Sequence, residues 1–278
     1  MYEELYEEGK SGAEAVDRLC RILALLRSRD GCPWDQAQTH ESLRACMIEE
    51  AYEAVDAIEK EDWEHLEEEL GDVLLQVVFH AGLGQEAGRF DLAGVANREC
   101  EKMIRRHPHV FDEKQGTFSA NYTESVDKVL EKWENVKRKE RRGTQTASME
   151  ELPRSLPALT RSCKVQKKAA DVGFDWDRVE EAFGKLEEET RELLEIYRSQ
   201  DREHIKEEVG DLLFAAVNIA RFLDVDPEDA LNFASQKFIR RFRFIEETAA
   251  AQGKNLEEMT LTEMDRLWEQ AKTEETHR

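Results

Sequence analysis

The chain has 278 residues and a formal net charge of −22, with 37% charged, 40% hydrophobic and 8% aromatic residues. That acidic balance excludes non-specific nucleic-acid binding, which needs a basic footprint, while the apolar fraction suffices for one large or two ordinary domains. Only 5 prolines and 14 glycines punctuate the sequence, so long helices are expected rather than many short strands.

The N-terminal MYEELYEEGK is acidic and lacks the basic-then-apolar order of a signal peptide. No apolar stretch approaches the ~18 residues of a membrane span. The five cysteines, Cys20, Cys32, Cys46, Cys100 and Cys163, form no CxxC and no zinc-type spacing, which points to free thiols in a reducing compartment. The expectation is a soluble cytoplasmic protein without membrane or nucleic-acid partners.

Residues 43–59 are expected to form a helix whose apolar stripe is Met47, Ala51, Ala54, Val55 and Ile58, with Glu50 and Glu53 on one flank and Glu49 further round. Lys60 to Asp62 makes a short turn, with Asp62 as N-cap of the next helix. There Leu66, Leu70, Val73, Leu74, Val77 and Val78 form the stripe, and Glu69 and Asp72, three apart, share the flank with His65 and Gln76. An antiparallel hairpin of these helices brings both carboxylate pairs to one point. Further on, KxxRR places Lys102, Arg105 and Arg106 on one helical face, and Trp133 follows downstream.

The pattern then repeats. With Glu49 set on Glu188, EEAYEAVDAIEKEDWEHLEEELGDVLL falls on EETRELLEIYRSQDREHIKEEVGDLLF without a gap, so that Glu50, Glu53, Glu69 and Asp72 meet Glu189, Glu192, Glu208 and Asp211. After a slightly shorter connection in the second copy, KMIRR falls on KFIRR (Lys237 to Arg241) and Trp133 on Trp268. PWDQ loosely matches DWDR, pairing Trp34 with Trp176. The chain therefore reads as an all-α tandem repeat of two helical modules, residues 1–140 and 153–278, joined by a polar linker at 141–152. A single hairpin is too thin to bury its stripe on both sides, so hairpins should pair into a four-helix-bundle-like assembly, either within the chain or, as expected here, in a homodimer.

Four carboxylates converging beside an apolar stripe repel one another, and a hard divalent cation neutralises them. Any one ExxE or ExxD in so acidic a chain reads first as a solvated helix face; two pairs at one angular position, kept in both copies, read as a metal cradle. Arg forks suit phosphate oxygens, although pairing with the surplus acid is the bland alternative. A tryptophan near a chain end is commonly a core anchor, yet an indole face can stack on a base. Cation, phosphate and base together indicate a nucleoside triphosphate, and no GxxxxGK[ST] is present to bind it as a P-loop does. Two rivals remain. A di-iron bundle would use Glu-x-x-His where this chain has Glu-x-x-Asp, and a non-catalytic scaffold would use its acidic faces to bind partners.

EExxE followed by ExxD, CPWD at Cys32 to Asp35, RRHPHVF at Arg105 to Phe111, GFDW and KFIRRF together resemble the MazG-type nucleoside triphosphate pyrophosphohydrolases. The resemblance spans nearly the whole chain. It implies an all-α fold assembled with a partner subunit, and Mg²⁺-dependent hydrolysis (Mn²⁺ as substitute) of nucleoside triphosphates to monophosphate and pyrophosphate, with metal-activated water attacking the α-phosphorus. It implies Glu189, Glu192, Glu208 and Asp211 as catalytic metal ligands. For the nucleotide it implies Lys185, Glu188, Glu207, Lys237, Arg240, Arg241 and Trp268. The first copy keeps Glu50, Glu53, Glu69 and Asp72 for metal and Lys102, Arg105 and Arg106 for phosphate, but HPHVF replaces FRFIE, so the second copy is expected to be the main site. A role in clearing nucleotide pools or in stress is the corresponding expectation.

Overall fold

A computed structural model describes residues 3–108, 110–112, 117–118, 125, 128–129, 133, 136 and 145–276. His109, Lys137 and residues 141–144 of the expected linker lie outside the described residues. The chain divides into two compact units, Met1–Glu140 and Arg141–Arg278. Both are helical, and each is built on a hairpin of long helices, as the tandem all-α reading requires.

In the first unit the helices are α1 (Gly12–Leu26), α2 (Pro33–Ala37), α3 (Arg44–Glu59), α4 (Trp63–Glu86) and α5 (Leu92–Arg106). A two-residue ladder pairs β1 (Phe111–Asp112) antiparallel with β2 (Thr117–Phe118). Local chemistry sets the helix starts. The Ser11 hydroxyl accepts from the Glu14 N–H at 3.2 Å, and Asp62 accepts from the His65 N–H at 3.1 Å, which satisfies donors with no partner in the first turn. Glu61 sits at φ 56° in the turn that reverses the chain between α3 and α4. α1 packs on α4 around Leu23, Leu43, Val78 and Phe79. Arg27 fastens the two with a two-pronged bond to Glu86, both contacts at 2.7 Å, and its guanidinium lies 5.3 Å from the Phe79 ring centroid.

The second unit contains α6 (Gln145–Glu150), α7 (Ala158–Ala170), α8 (Val179–Ile196), α9 (Arg202–Phe222), α10 (Pro227–Ala251) and α11 (Leu261–Thr276). α6 falls inside the stretch expected as linker, and Lys168 of α7 donates to the Ser148 carbonyl at 2.6 Å. Asp201 caps α9 by accepting from the His204 N–H at 3.1 Å, repeating Asp62. α11 begins with a reciprocal cap: Thr260 Oγ1 accepts from the Glu263 N–H at 3.3 Å, and Glu263 Oε2 accepts from the Thr260 N–H at 2.9 Å. Ile245, Ala249, Met259 and Leu267 form the α10–α11 core, with Trp268 packed against it. Glu228 of α10 accepts from both the N–H and the hydroxyl of Thr160 at 3.2 Å, tying α10 to α7.

The expected stripes of α3 and α4 are buried unevenly. Ala54 and Val78 are buried while Ile58 is 51% and Leu70 53% exposed, and Ala57 and Glu69, which lie off the stripes, are buried. The helices approach through small residues and their acid flank, which leaves the bulky part of each stripe outward. The second unit does the same, with Leu194, Leu213 and Phe214 exposed and Ala182 and Glu189 buried.

Candidate metal and nucleotide site

In the first unit, one carboxylate oxygen each from Glu50, Glu69 and Asp72 lies within 4.8 Å of the others. Glu53 completes the quartet by contacting the Glu50 carboxyl. The hairpin does this geometrically: ExxE on α3 and ExxD on α4 each occupy one flank, and the Lys60–Asp62 turn sets those flanks face to face. Burial, then the Asp72 charge, raises the Glu50 pKa. Burial, then Glu53, raises that of Glu69. Removing carboxylates from water beside other carboxylates disfavours the charged form. His65 Nε2 stands 3.4 Å from Glu69 Oε1, while Glu69 Oε2 is buried without a hydrogen-bond partner.

The second unit reproduces the arrangement. Oxygens of Glu189, Glu208 and Asp211 lie within 4.8 Å of one another, and Glu192 contacts the Glu189 carboxyl. Burial, then Glu189, raises the Glu192 pKa. His204 Nε2 is 3.2 Å from Glu208 Oε1, and Glu208 Oε2 is buried and unpartnered, as Glu69 Oε2 is. The units differ at one contact. Lys185 Nζ lies 2.6 Å from Glu189 Oε1 and 3.0 Å from Glu188, and those bonds, Glu189 first, raise its pKa. Cys46 occupies the corresponding register of α3. Glu207 lines a shallow open groove with Asp201, His204, Lys206 and Asp211.

The basic clusters are held elsewhere. Lys102 pairs with Glu99 on its own helix. Arg241 donates to Glu275 Oε2 at 2.8 Å, Arg240 stands 3.9 Å from the same carboxylate, and Lys237 lies 6.0 Å from the Phe233 ring centroid. Among the described residues, no ion pair joins Lys237, Arg240 or Arg241 to the quartet. The second Arg of each cluster lies over the tryptophan that follows it in the same unit: Arg106 is 5.9 Å from the Trp133 centroid and Arg241 5.5 Å from that of Trp268. Phe238 meets Trp268 at 5.0 Å, so this indole serves the core and its arginine before any base. Sequence reasoning set His65 on the acid flank but gave neither it nor His204 a role, although the repeat retained both. It also gave no contact for Lys185.

All-oxygen donors at this spacing, with a buried oxygen in each unit that nothing satisfies, fit a hard divalent cation and not a soft or imidazole-seeking one. Fold and site together define an all-α protein with a duplicated carboxylate cluster that could hold such a cation. The chain belongs to the MazG nucleotide pyrophosphohydrolase family, whose domain model matches residues 38–111 and 179–244, the two hairpins with their flanking segments. It is 43% identical to the Thermotoga maritima nucleoside triphosphate pyrophosphohydrolase/pyrophosphatase MazG, over 95% of this chain and 98% of that protein. It is 42% identical to the Escherichia coli K12 nucleoside triphosphate pyrophosphohydrolase, over 94% and 98%. A Bacillus subtilis protein, YabN, is 46% identical over 91% of this chain and 51% of its own length.

Proposed function

We propose that this protein hydrolyses nucleoside triphosphates to nucleoside monophosphate and pyrophosphate, using Mg²⁺ or, in substitution, Mn²⁺. The observation that carries this reading is the duplicated convergence of carboxylates, with one buried oxygen left unpartnered in each unit, on Glu69 and on Glu208. Glu189, Glu192, Glu208 and Asp211 would hold the cation in the second unit, and Glu50, Glu53, Glu69 and Asp72 in the first. The cation supplies Lewis acidity and neutralises polyphosphate charge. In the reaction a water oxygen bonds to the α-phosphorus, the bond from that phosphorus to the α,β-bridging oxygen breaks, and the water's proton passes to a carboxylate of the cradle. His65 and His204 orient Glu69 and Glu208.

Lys185, Glu188 and Glu207 border the nucleotide in this reading, and Lys237, Arg240 and Arg241 meet its phosphates. Arg241 exchanges Glu275 for a phosphate oxygen while Trp268 keeps the guanidinium in place. Lys102, Arg105 and Arg106 have the matching role in the first unit. The second unit is the principal site, because Lys185 brings an ammonium to the cradle where the first unit has Cys46. The outward stripes carrying Ile58, Leu70 and Leu213 are covered in a homodimer. Sedimentation showing a monomer at every concentration would reject that. Among the described residues no helix is long and apolar enough to cross a membrane. A cytoplasmic role in clearing nucleotide pools goes with this activity, and cell fractionation tests the location. Activity is tested by incubating the full chain with a nucleotide mixture and Mg²⁺. Pyrophosphate without orthophosphate is expected, as is its loss in a Glu69→Gln, Glu208→Gln double variant. Turnover by that variant at the parental rate sinks the assignment.

A further inference from the structure

The two cradles differ at a further pair of positions. In α4, Gln76 follows Asp72 by four residues and Glu69 by seven. At ~100° per residue the three fall within an arc of about 60°, and Gln76 lies about 6 Å along the axis from Asp72. Side chains of a helix lean toward its N-terminus, so Gln76 leans toward the acids. It is 7% exposed, and its Oε1 is buried with no partner. Along the hairpin the charge of Glu53 acts on Glu69 and that of Asp72 on Glu50, and further on Leu43 joins Val78 and Phe79 in one cluster. Between those levels the antiparallel run sets Cys46 opposite Gln76. The repeat puts Lys185 in the place of Cys46 and Ala215 in the place of Gln76.

This double exchange alters what each cradle offers a cation. In the second unit the Lys185 ammonium lies 2.6 Å from Glu189 Oε1. An incoming cation has to displace it, at the cost of a charge-assisted bond, and Ala215 offers no oxygen in return. The second unit carries its own unmet amide on a different helix. Gln166 of α7 donates from Nε2 to the Phe214 carbonyl at 2.7 Å and leaves Oε1 buried and unpartnered, in a cavity of about 520 Å³ also lined by Phe174, Trp176, Phe214 and Asn218. In the first unit no ammonium stands at the matching register, and the added group is a neutral carbonyl oxygen. Such an oxygen extends the shell of a hard cation without adding to the repulsion among the carboxylates. A buried acceptor left unmade is costly, and one ion that meets Glu69 Oε2 and Gln76 Oε1 removes that cost twice.

We propose that the first unit is the resident cation site of the chain: Gln76 Oε1 joins Glu50, Glu53, Glu69 and Asp72 as a fifth oxygen ligand, and this site fills before that of the second unit when no nucleotide is present. The inference rests on the cradle reading above, and its test scores binding apart from turnover. The metal-free full chain is titrated with Mn²⁺ without nucleotide, and the electron paramagnetic resonance of the free ion gives the number bound. Two classes are expected, the tighter by about tenfold or more. Glu69→Gln should abolish the tighter class and Glu208→Gln the weaker, while Lys185→Met should tighten the weaker one. Gln76→Leu, of similar volume, should weaken the tighter class about tenfold, and Gln76→Glu, which restores an oxygen, should bind at least as tightly as the parent. Melting curves in EDTA verify that each variant folds. A single class in the parent, loss of the tighter class in Glu208→Gln, or parental affinity in Gln76→Leu overturns the proposal. Equal weakening by Gln76→Leu and Gln76→Glu makes Gln76 a packing residue and overturns it as well. Pyrophosphate release from the ordinary nucleotides is measured separately. Release by a parent with a single class removes the resident site and keeps the hydrolase; a Gln76-dependent tighter class in a chain that releases none does the reverse.

Discussion

Glu208→Gln should uncouple the second unit from its cation without unfolding it. Glu208 Oε2 is buried and unpartnered, and its carboxylate lies within 4.8 Å of Glu189 and Asp211. The amide keeps size and an acceptor for His204 but removes one of three clustered charges, so the metal-free variant should melt no lower than the parent. A cation held by the proposed cradle would bind the native state alone, because only the hairpin brings these oxygens together. At a free concentration of about 100 Kd it stabilises by about 2.7 kcal/mol. For a unit the size of Arg141–Arg278 that raises the melting temperature by about 10 °C. If losing the anionic oxygen weakens the cation about 100-fold, the same concentration gives about 0.4 kcal/mol, a rise of about 2 °C. Calorimetric melting in EDTA and in Mg²⁺ measures both numbers. A variant whose Mg²⁺-induced rise equals the parent's would refute the cradle.

Three further outcomes concern the scaffold. Glu263, held at a pKa of about 2 first by Lys254 and then by Thr260, stabilises the fold above the ordinary carboxylate range and ceases to do so as pH falls through about 2. Glu263→Gln should therefore lower the melting temperature at pH 7, with the difference closing toward pH 2 in a pH series of melts. Leu267→Ala, at a fully buried position in the α10–α11 core, should cost about 2–4 kcal/mol in urea titration with unchanged m. Arg27→Met should destabilise the first unit by about 2 kcal/mol in the same assay, below the range for fully buried pairs because Glu86 is 52% exposed.

Much of the site was legible because its signals are local. An ExxE or ExxD fixes the angular position of two carboxylates as soon as the segment is helical, and Asp62 and Asp201 announce where α4 and α9 begin. The repeat supplied the second copy. The cavity carrying Gln166 and Asn218 was not legible. Its lining comes from α6, α7, the following loop and α9, and no periodicity relates those segments. The GFDW stretch that supplies Phe174 and Trp176 was noticed only as a resemblance and through the loose match of Trp176 to Trp34.

By itself the sequence determined two helical modules and which carboxylates share a helix flank, because helical period and capping act within a few residues. Tertiary structure alone decided which flank faces inward. Small Ala54 and Ala57 let the hairpin close on its acid side and leave Ile58 and Leu70 outside, and that choice depends on how two surfaces fit. It also decided that the second arginine of each basic cluster lies over a tryptophan well downstream in its own unit. That contact exists only once α10 and α11 have packed, and in the first unit only once Arg106 of α5 meets Trp133.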